Sequence, residues 1–219
     1  MIVNRGDSDT IDVECLAFSI EVMASQYDLL MSPKCCIFKT PITLFRQNEK
    51  AYIPDAFSIG PFHHGCPNLK ATETIKAKYL QGLASRSGVL LKDIINSINA
   101  LEKEACEYYA GSIDYSQEEL VKILVIDGCF IIELLCRNAS KQLKEENDPI
   151  FSTSNMCQFL GHDLILLENQ VPWMVLEHLF SMIMAPPIHD ITLIELAILF
   201  FVDIFASRPP ARTNHIQDI

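Results

Sequence analysis

The chain has 219 residues, of which 49% are hydrophobic, so it can bury a substantial core as one large domain or two small ones. Its 17 basic and 28 acidic residues give a net charge of −11, which repels nucleic acid backbones and anionic membrane surfaces. We therefore expect no nucleic acid partner.

Three local features narrow the class of protein. Residues 1–10 are polar and acidic, unlike a signal or transit peptide, which predicts an intracellular and by default cytoplasmic protein. Eight cysteines without a secretory signal or CxxC spacing indicate buried thiols rather than disulfides or structural zinc. The apolar run Ile191 to Ala206 contains two acids and is shorter than the roughly 20 residues that a bilayer requires. We expect a buried helix there and no membrane span.

The first predicted element is a helix that Asp9 can cap and that ends before Ser32, because Pro33 follows. The next segment, near residues 34–65, is predicted to consist of turns and short extended stretches, since proline and glycine interrupt it repeatedly. These interruptions are Pro41, Pro54, Gly60, Pro61 and Gly65.

Two amphipathic helices follow and are predicted to form a hairpin. The first opens at Asn68, carries apolar residues at steps of three and four, and is terminated by Gly88. The second runs from Leu91 through Tyr108 and ends near Gly111. Four basic residues make the first helix locally positive, which a solvated face explains and for which an acidic protein partner is the alternative. These residues are Lys70, Lys76, Lys78 and Arg86.

A capping box at Ser116 and Glu119 predicts the start of the next helix, which is apolar on nearly every side and therefore central to the bundle. Helical geometry places Lys122 and Glu133 about 20° apart and Asp127 at least about 120° from both. Asp127 is thus predicted to point inward, where a buried carboxylate needs a partner such as Arg46, Lys76 or a histidine.

The remaining third contains a charged surface loop at Lys141 to Pro149 and two further helical stretches. Asp163 is predicted to cap a helix from Leu164 to Asn169, which Pro172 interrupts before it restarts and continues to about Met184. Taken together, the elements predict a mainly α fold, an irregular helical bundle that forms a single domain over residues 1–219.

Several segments, taken in order, resemble the plant family named domain of unknown function 247. The resemblance covers about residues 19–218, with Thr40 where valine is common and Thr72 where methionine is common. The matching blocks are Cys36-Ile37-Phe38-Lys39-Thr40-Pro41, Ala51-Tyr52-Ile53-Pro54, Phe57-Ser58-Ile59-Gly60-Pro61-Phe62-His63-His64-Gly65, Asp127-Gly128-Cys129-Phe130-Ile131-Ile132-Glu133-Leu134 and Asp163-Leu164-Ile165-Leu166-Leu167-Glu168-Asn169-Gln170-Val171-Pro172.

The resemblance implies a largely helical protein of a plant-specific family without an established enzymatic activity. Relatives usually continue for a comparable length, so the chain is expected to be the N-terminal half of a longer family domain. Many relatives are membrane proteins anchored through a C-terminal segment, and some in grasses are associated with self-incompatibility. The resemblance therefore favours recognition by protein contact.

Residues of these blocks also permit two chemical interpretations. Ser58 with His63 or His64 and Asp127 could form a hydrolase triad, but Ala56 and the Gly60-Pro61 turn do not fit a nucleophile elbow. For a metal site, His63, His64 and Cys66 could combine with His162 and Asp163, although adjacent histidines point in different directions.

The simplest interpretation of the polar residues is structural. Glu168, Asn169 and Gln170 are predicted to satisfy the backbone that Pro172 interrupts, with Asn169 or Gln170 also capping the next helix. We therefore predict a non-enzymatic interaction module with no catalytic residue, cofactor or metal, an unknown protein partner and a homo-oligomer as a further outcome. Hydrolysis by Ser58 and His64 and structural metal binding are the alternatives. The predicted structural motif comprises Pro54, Ser58, Gly60, Pro61, His63, His64, Asp127, Asp163, Glu168, Asn169, Gln170 and Pro172.

Overall fold

A computed structural model describes residues 12–30, 32–153, 155–184 and 191–206 of the chain. The mainly α fold is confirmed: within these ranges the regular structure is helical, and one isolated parallel bridge joins Ile37 to Tyr109. Single 3-10 turns lie at Glu49–Ala51, Pro67–Leu69 and Lys141–Leu143. The α-helices are α1 (Val13–Leu30), α2 (Ile42–Gln47), α3 (Lys70–Ser87), α4 (Leu91–Cys106), α5 (Gln117–Ala139), α6 (Met156–Asp163), α7 (Trp173–Ile183) and α8 (Leu193–Ala206).

Helix α5 is the central helix, as the sequence predicts. Ser116 and Glu119 form the capping box at its start, and nearly every residue from Leu120 to Arg137 is buried. Helices α3, α4, α7 and α8 pack around it. At Gly128 a Cβ atom would come within 2.5 Å of Leu179, so the missing side chain allows α7 to approach closely.

The two predicted amphipathic helices are present as α3 and α4, but they do not form the predicted hairpin, because each packs on α5 rather than on the other. The first helix stops where the sequence predicts. Gly88 has a φ of 72° and its N–H donates to the carbonyl of Ala84, which is the left-handed C-cap that glycine favours. A 3-10 turn at Pro67–Leu69 precedes α3, so Asn68 lies in the entry turn rather than in the α-helix itself.

Helix α1 begins at Val13, and the Asp12 carboxylate accepts the N–H of Cys15 at 3.0 Å. Asp12 therefore caps the described helix, while the predicted cap Asp9 lies outside the described residues. The turn-rich segment consists of turns, bends and stretches without regular structure, and the short helix α2 is the addition that its proline spacing did not predict.

Three predictions for the C-terminal third are corrected. Residues 164–169 form turns, because Asp163 ends α6 and directs its carboxylate to another segment instead of capping a helix. The charged loop is not wholly on the surface, since Asp148 within it is fully buried. Helix α8 is buried on one side only: Leu196 and Phe200 face the core, whereas Ile198 is 55% exposed. The restart at Pro172 is confirmed, with α7 beginning at Trp173.

Candidate functional site

The carboxylate of Asp163 anchors the turn-rich segment. One oxygen accepts the N–H of Asp55, and the other accepts those of Ala56 and Phe57, each at 2.8 Å. Asp163 is fully buried, so these donors replace the water that the carboxylate loses. Burial nevertheless raises the pKa of Asp163, against the effect of the three N–H groups.

Asn169 anchors the next residues of the turn-rich segment, Phe57 and Ile59. Its Oδ1 accepts the N–H of Ile59 at 2.7 Å, and its Nδ2 donates to the carbonyls of Phe57 and Asp163 at 3.0 and 2.9 Å. The side chain is fully buried and uses both polar atoms. Asn169 thus fixes the segment against the end of α6, and it does not cap α7, which has no side-chain cap bond.

Asp127 holds the next residue of the segment from α5. Its carboxylate accepts the N–H of Gly60 at 2.8 Å and the ammonium of Lys76 at 2.6 Å. The inward orientation and the partner Lys76 are both confirmed, and Lys76 is fully buried rather than on a solvated face. Lys76 also donates to the carbonyl of Ser58 and pairs with Glu73, both at 2.8 Å. Burial raises the pKa of Asp127 to about 6, although Lys76 and the Gly60 N–H oppose that change.

At Gly60 the turn-rich segment comes very close to the turns that precede α7. Its φ is 72°, and a Cβ atom there would lie 2.1 Å from the carbonyl oxygen of Gln170. That carbonyl accepts the hydroxyl of Tyr109 at 3.0 Å, and the Gln170 side chain donates to the carbonyls of Leu164 and Leu166 at 2.7 and 2.9 Å. The predicted role of Gln170 in satisfying the interrupted backbone is what its side chain performs.

Glu168 reaches the start of the turn-rich segment. Its carboxylate accepts the N–H of Thr40 and lies 3.9 Å from Nε2 of His63. His63 is mostly buried, and burial lowers its pKa despite the nearby carboxylate. Pro54 and Pro61 are also buried within the segment. In this region the residues of the predicted motif are buried or hydrogen-bonded and hold the backbone of the turn-rich segment in place.

The alternative triad of Ser58, a histidine and Asp127 is not the arrangement that Ser58 adopts. Ser58 is 1% exposed, and its hydroxyl donates to Glu73 at 2.9 Å. The carbonyl of His64 accepts the hydroxyl of Tyr115, and burial lowers the pKa of the His64 imidazole. In this geometry Ser58 serves as a hydrogen-bond donor in a closed region and is not presented to a substrate.

A second buried charge cluster was not anticipated from the sequence. Glu133 is fully buried and pairs with Arg86 and, at 2.8 Å, with Arg137. Arg137 also donates to Asp148 at 2.8 Å, and the hydroxyl of Tyr79 donates to the same carboxylate at 2.7 Å. The four-residue spacing of Glu133 and Arg137 was the available signal, because that spacing places opposite charges side by side on a helix.

Among the predicted metal-type residues, the structure groups His162 and Asp163 with Asp55. One ligand atom of each residue lies within 4.8 Å of the others. In the described part of the chain, His63, His64 and Cys66 do not belong to that group.

An apolar groove lies along α8 and the turns before α7. One part of about 560 Å³ and another of about 400 Å³ share Trp173, Ala197 and Phe201, so the two are continuous. Several apolar side chains that line this groove are unusually exposed for their type. They include Ile165 at 55%, Leu167 at 47%, Trp173 at 40%, Ile194 at 57%, Ile198 at 55% and Val202 at 55%. No described helix is long and apolar enough to cross a membrane.

Comparisons with known proteins place this geometry in context. The family model described as "Plant protein of unknown function", domain of unknown function 247, matches residues 37–218. Two Arabidopsis thaliana proteins are similar: UPF0481 protein At3g47200, 35% identical over 67% of this chain, and Putative UPF0481 protein At3g02645, 25% identical over 64%. The matches cover 31% and 26% of those relatives, so the chain spans less than a third of each. No solved structure matches.

Proposed function

Because the chain belongs to the plant family of domain of unknown function 247, whose description assigns no reaction, we propose that it is a non-enzymatic recognition module that binds a protein partner through the apolar groove. The groove is the observation that carries the proposal. Several of its apolar side chains are roughly half exposed and contiguous, whereas a chain with a full core normally covers such a patch.

The shape of the groove favours a helical partner. Ile194, Ile198 and Val202 follow each other at four-residue steps and form a stripe along α8, with Trp173 beside it. An amphipathic helix binds such a surface with apolar residues at steps of three and four. Trp173 supplies the large aromatic surface that often anchors an interface.

The negative net charge of the chain indicates that its partner carries positive charge. The chain carries a net charge of −11, so a helix whose apolar stripe is flanked by lysine or arginine is attracted, and a second copy of this acidic chain is repelled. Self-association is therefore a separate outcome that the experiment must detect. The curated relatives extend well beyond the matched segment, and their remaining residues are one source of such a helix.

The single tryptophan of the chain permits a direct test, since Trp173 lines the groove. The probe is a synthetic amphipathic helix of leucine and lysine without tryptophan, and the signal is the emission of Trp173 in the full chain. We expect a blue shift with saturable binding, because the bound helix removes water from the indole ring. A peptide of the same composition with its stripe scrambled should bind at least about tenfold more weakly.

Two matched variants locate the binding surface. Ile198→Glu places a charge in the groove, whereas Leu90→Glu changes a residue of similar exposure, 56%, outside it. The first should lose binding and the second should keep it. Unchanged Trp173 emission, equal binding by both variants, or equal binding of the scrambled peptide would each contradict the proposal. The molecular masses of the wild type, Ile198→Glu and Leu90→Glu in analytical sedimentation distinguish self-association from binding of the helix.

We also propose that the described residues form one domain. The support is that α3, α4, α7 and α8 all pack on α5 and share one continuous core.

A further inference from the structure

Four carboxylates are fully buried in the described part of the chain, and three of them face a lysine or an arginine. Asp127 pairs with Lys76, Glu133 with Arg86 and Arg137, and Asp148 with Arg137. For the fourth, Asp163, the one ion-pair partner within the described ranges is an imidazole, that of His162, whose Nδ1 lies 3.9 Å from Asp163 Oδ1. A buried carboxylate is costly without compensation, so the surroundings of Asp163 differ in kind from those of the other three.

The backbone satisfies Asp163 only in part. Three N–H groups occupy acceptor positions, two on Oδ2 and one on Oδ1, whereas a carboxylate offers about four such positions. The position left on Oδ1 belongs to the oxygen that lies nearest to His162.

His162 offers a ring nitrogen beside this oxygen, although the described residues also leave one nitrogen each of His63, His64 and His178 unbonded. The Nδ1 atom of His162 is buried and has no hydrogen-bond partner among the described residues, whereas buried polar atoms are nearly always bonded. In the neutral imidazole an unprotonated nitrogen carries a lone pair that binds metals. The Asp55 carboxylate completes the group, because one of its oxygens lies within 4.8 Å of both the His162 nitrogen and the Asp163 oxygen.

We propose that Asp55, His162 and Asp163 bind a divalent transition-metal ion of the zinc class. One nitrogen and two carboxylate oxygens are typical ligands of Zn²⁺, with bonds of about 2.0–2.2 Å and a fourth position open to water. Such ligand atoms lie about 3.4 Å apart around a tetrahedral ion. The exposed Asp55 and the partly exposed His162 can rotate to close the gaps, which are 3.9 Å between His162 and Asp163 and within 4.8 Å for the group as a whole.

The ion would join two elements that the backbone already brings together. Asp55 belongs to the turn-rich segment, while His162 and Asp163 end α6. Because the ion would bind the folded chain and not the unfolded one, it would raise the stability of that junction. This role is independent of the apolar groove, so either proposal can fail without the other.

Cobalt substitution provides the test, because the eight cysteines are a competing source of metal ligands. The metal-free full chain is titrated with Co²⁺ and Zn²⁺, with Mg²⁺ as the hard-ion control. We expect one site whose visible d–d bands are stronger than those of free octahedral Co²⁺, as four-coordination requires, and without the intense thiolate charge-transfer band. Zn²⁺ should compete for that site, and Mg²⁺ should not bind at comparable concentrations.

Variants assign the site to these residues. His162→Ala and Asp55→Asn should each weaken Co²⁺ binding at least about tenfold, as expected when a ligand is removed. His178→Ala is the matched control, since its imidazole also has a buried unbonded nitrogen but belongs to α7. Absence of binding, a thiolate band at the occupied site, or equal binding by His162→Ala and His178→Ala would overturn the proposal.

Discussion

Two clusters of buried charged residues contact α5, one near its middle at Asp127 and one near its C-terminal end at Glu133 and Arg137. They make hydrogen bonds to different kinds of partner. The turn-segment cluster, Glu73, Lys76 and Asp127, binds main-chain groups of Ser58 and Gly60. The arginine cluster joins side chains to side chains. Its members are Tyr79, Arg86, Glu133, Arg137 and Asp148.

The difference shows what each set of charges is needed for. A segment of turns leaves main-chain N–H and C=O groups without the partners that regular secondary structure provides. Here the buried Lys76 donates to one such carbonyl and the buried Asp127 accepts from one such N–H. Packed helices satisfy their own backbone, and the arginine cluster instead sets how α3, α5 and the loop after α5 meet. The first cluster should therefore tolerate substitution less well.

The largest expected effect is that of Lys76→Met. It leaves Asp127 as a buried charge without its cation and removes the donor to the Ser58 carbonyl. We expect a loss of about 4 kcal/mol in the free energy of unfolding, because breaking a buried pair leaves the other charge uncompensated. Urea unfolding followed by circular dichroism measures it.

Lys78→Met is the control on the same helix. Lys78 pairs with Glu145 where both side chains are about half exposed, so its loss should cost less than about 1 kcal/mol. Similar losses for the two variants would show that the buried pair carries no more weight than an exposed one.

The next effect tests the backbone partner of Asp127. Gly60→Ala places a Cβ atom against the Gln170 carbonyl at a φ of 72° and should cost about 3 kcal/mol through strain and overpacking together. Gly65→Ala has a similar φ of 80° with no neighbouring atom within 4 Å, so strain alone should cost about 1 kcal/mol. Equal changes in the urea midpoint would mean that the close approach to Gln170 is unimportant.

The sequence predicted the first cluster better than the second for a physical reason. Asp127 interrupts an apolar helix, so its inward direction and its need for a partner followed from burial cost alone. Glu133 shares a helical face with Lys122, and periodicity groups it with the solvated side chain. The structure buries Glu133 because Arg86 from α3 covers it, a long-range contact that no local pattern contains.

The same distinction applies to the candidate site. The sequence predicts that Glu168, Asn169 and Gln170 satisfy the backbone around Pro172. Gln170 does so, because that need is local, whereas the Glu168 carboxylate instead accepts the N–H of Thr40. The sequence predicts that Asp163 caps a helix and that Asn169 satisfies the interrupted backbone or caps the next helix. Both side chains instead bind main-chain groups of residues 55–59, more than 100 positions away. Their side-chain chemistry was predictable, but the segment that would supply their partners was not.

The smallest expected effect is a difference in pH dependence between the two clusters. Burial raises the pKa of Asp148, but hydrogen bonds from Tyr79 and Arg137 outweigh it and leave that pKa lowered. The stability that Asp148 contributes is therefore present above its unfolded value near 3.8 and is lost as pH falls through the folded pKa. Asp127 behaves oppositely: its folded pKa is raised to about 6, so its contribution declines as pH rises from about 4 to about 6.

Unfolding free energies of the wild type, Asp127→Asn and Asp148→Asn across pH 2.5 to 7.5 separate these contributions, since asparagine does not titrate. The advantage of the wild type over Asp148→Asn should be constant above about pH 5 and shrink below about pH 4. Its difference from Asp127→Asn should change with the opposite sign between about pH 4 and 6. Parallel pH profiles for the two variants would mean that Lys76 and the Gly60 N–H stabilise ionised Asp127 as fully as Arg137 and Tyr79 stabilise ionised Asp148.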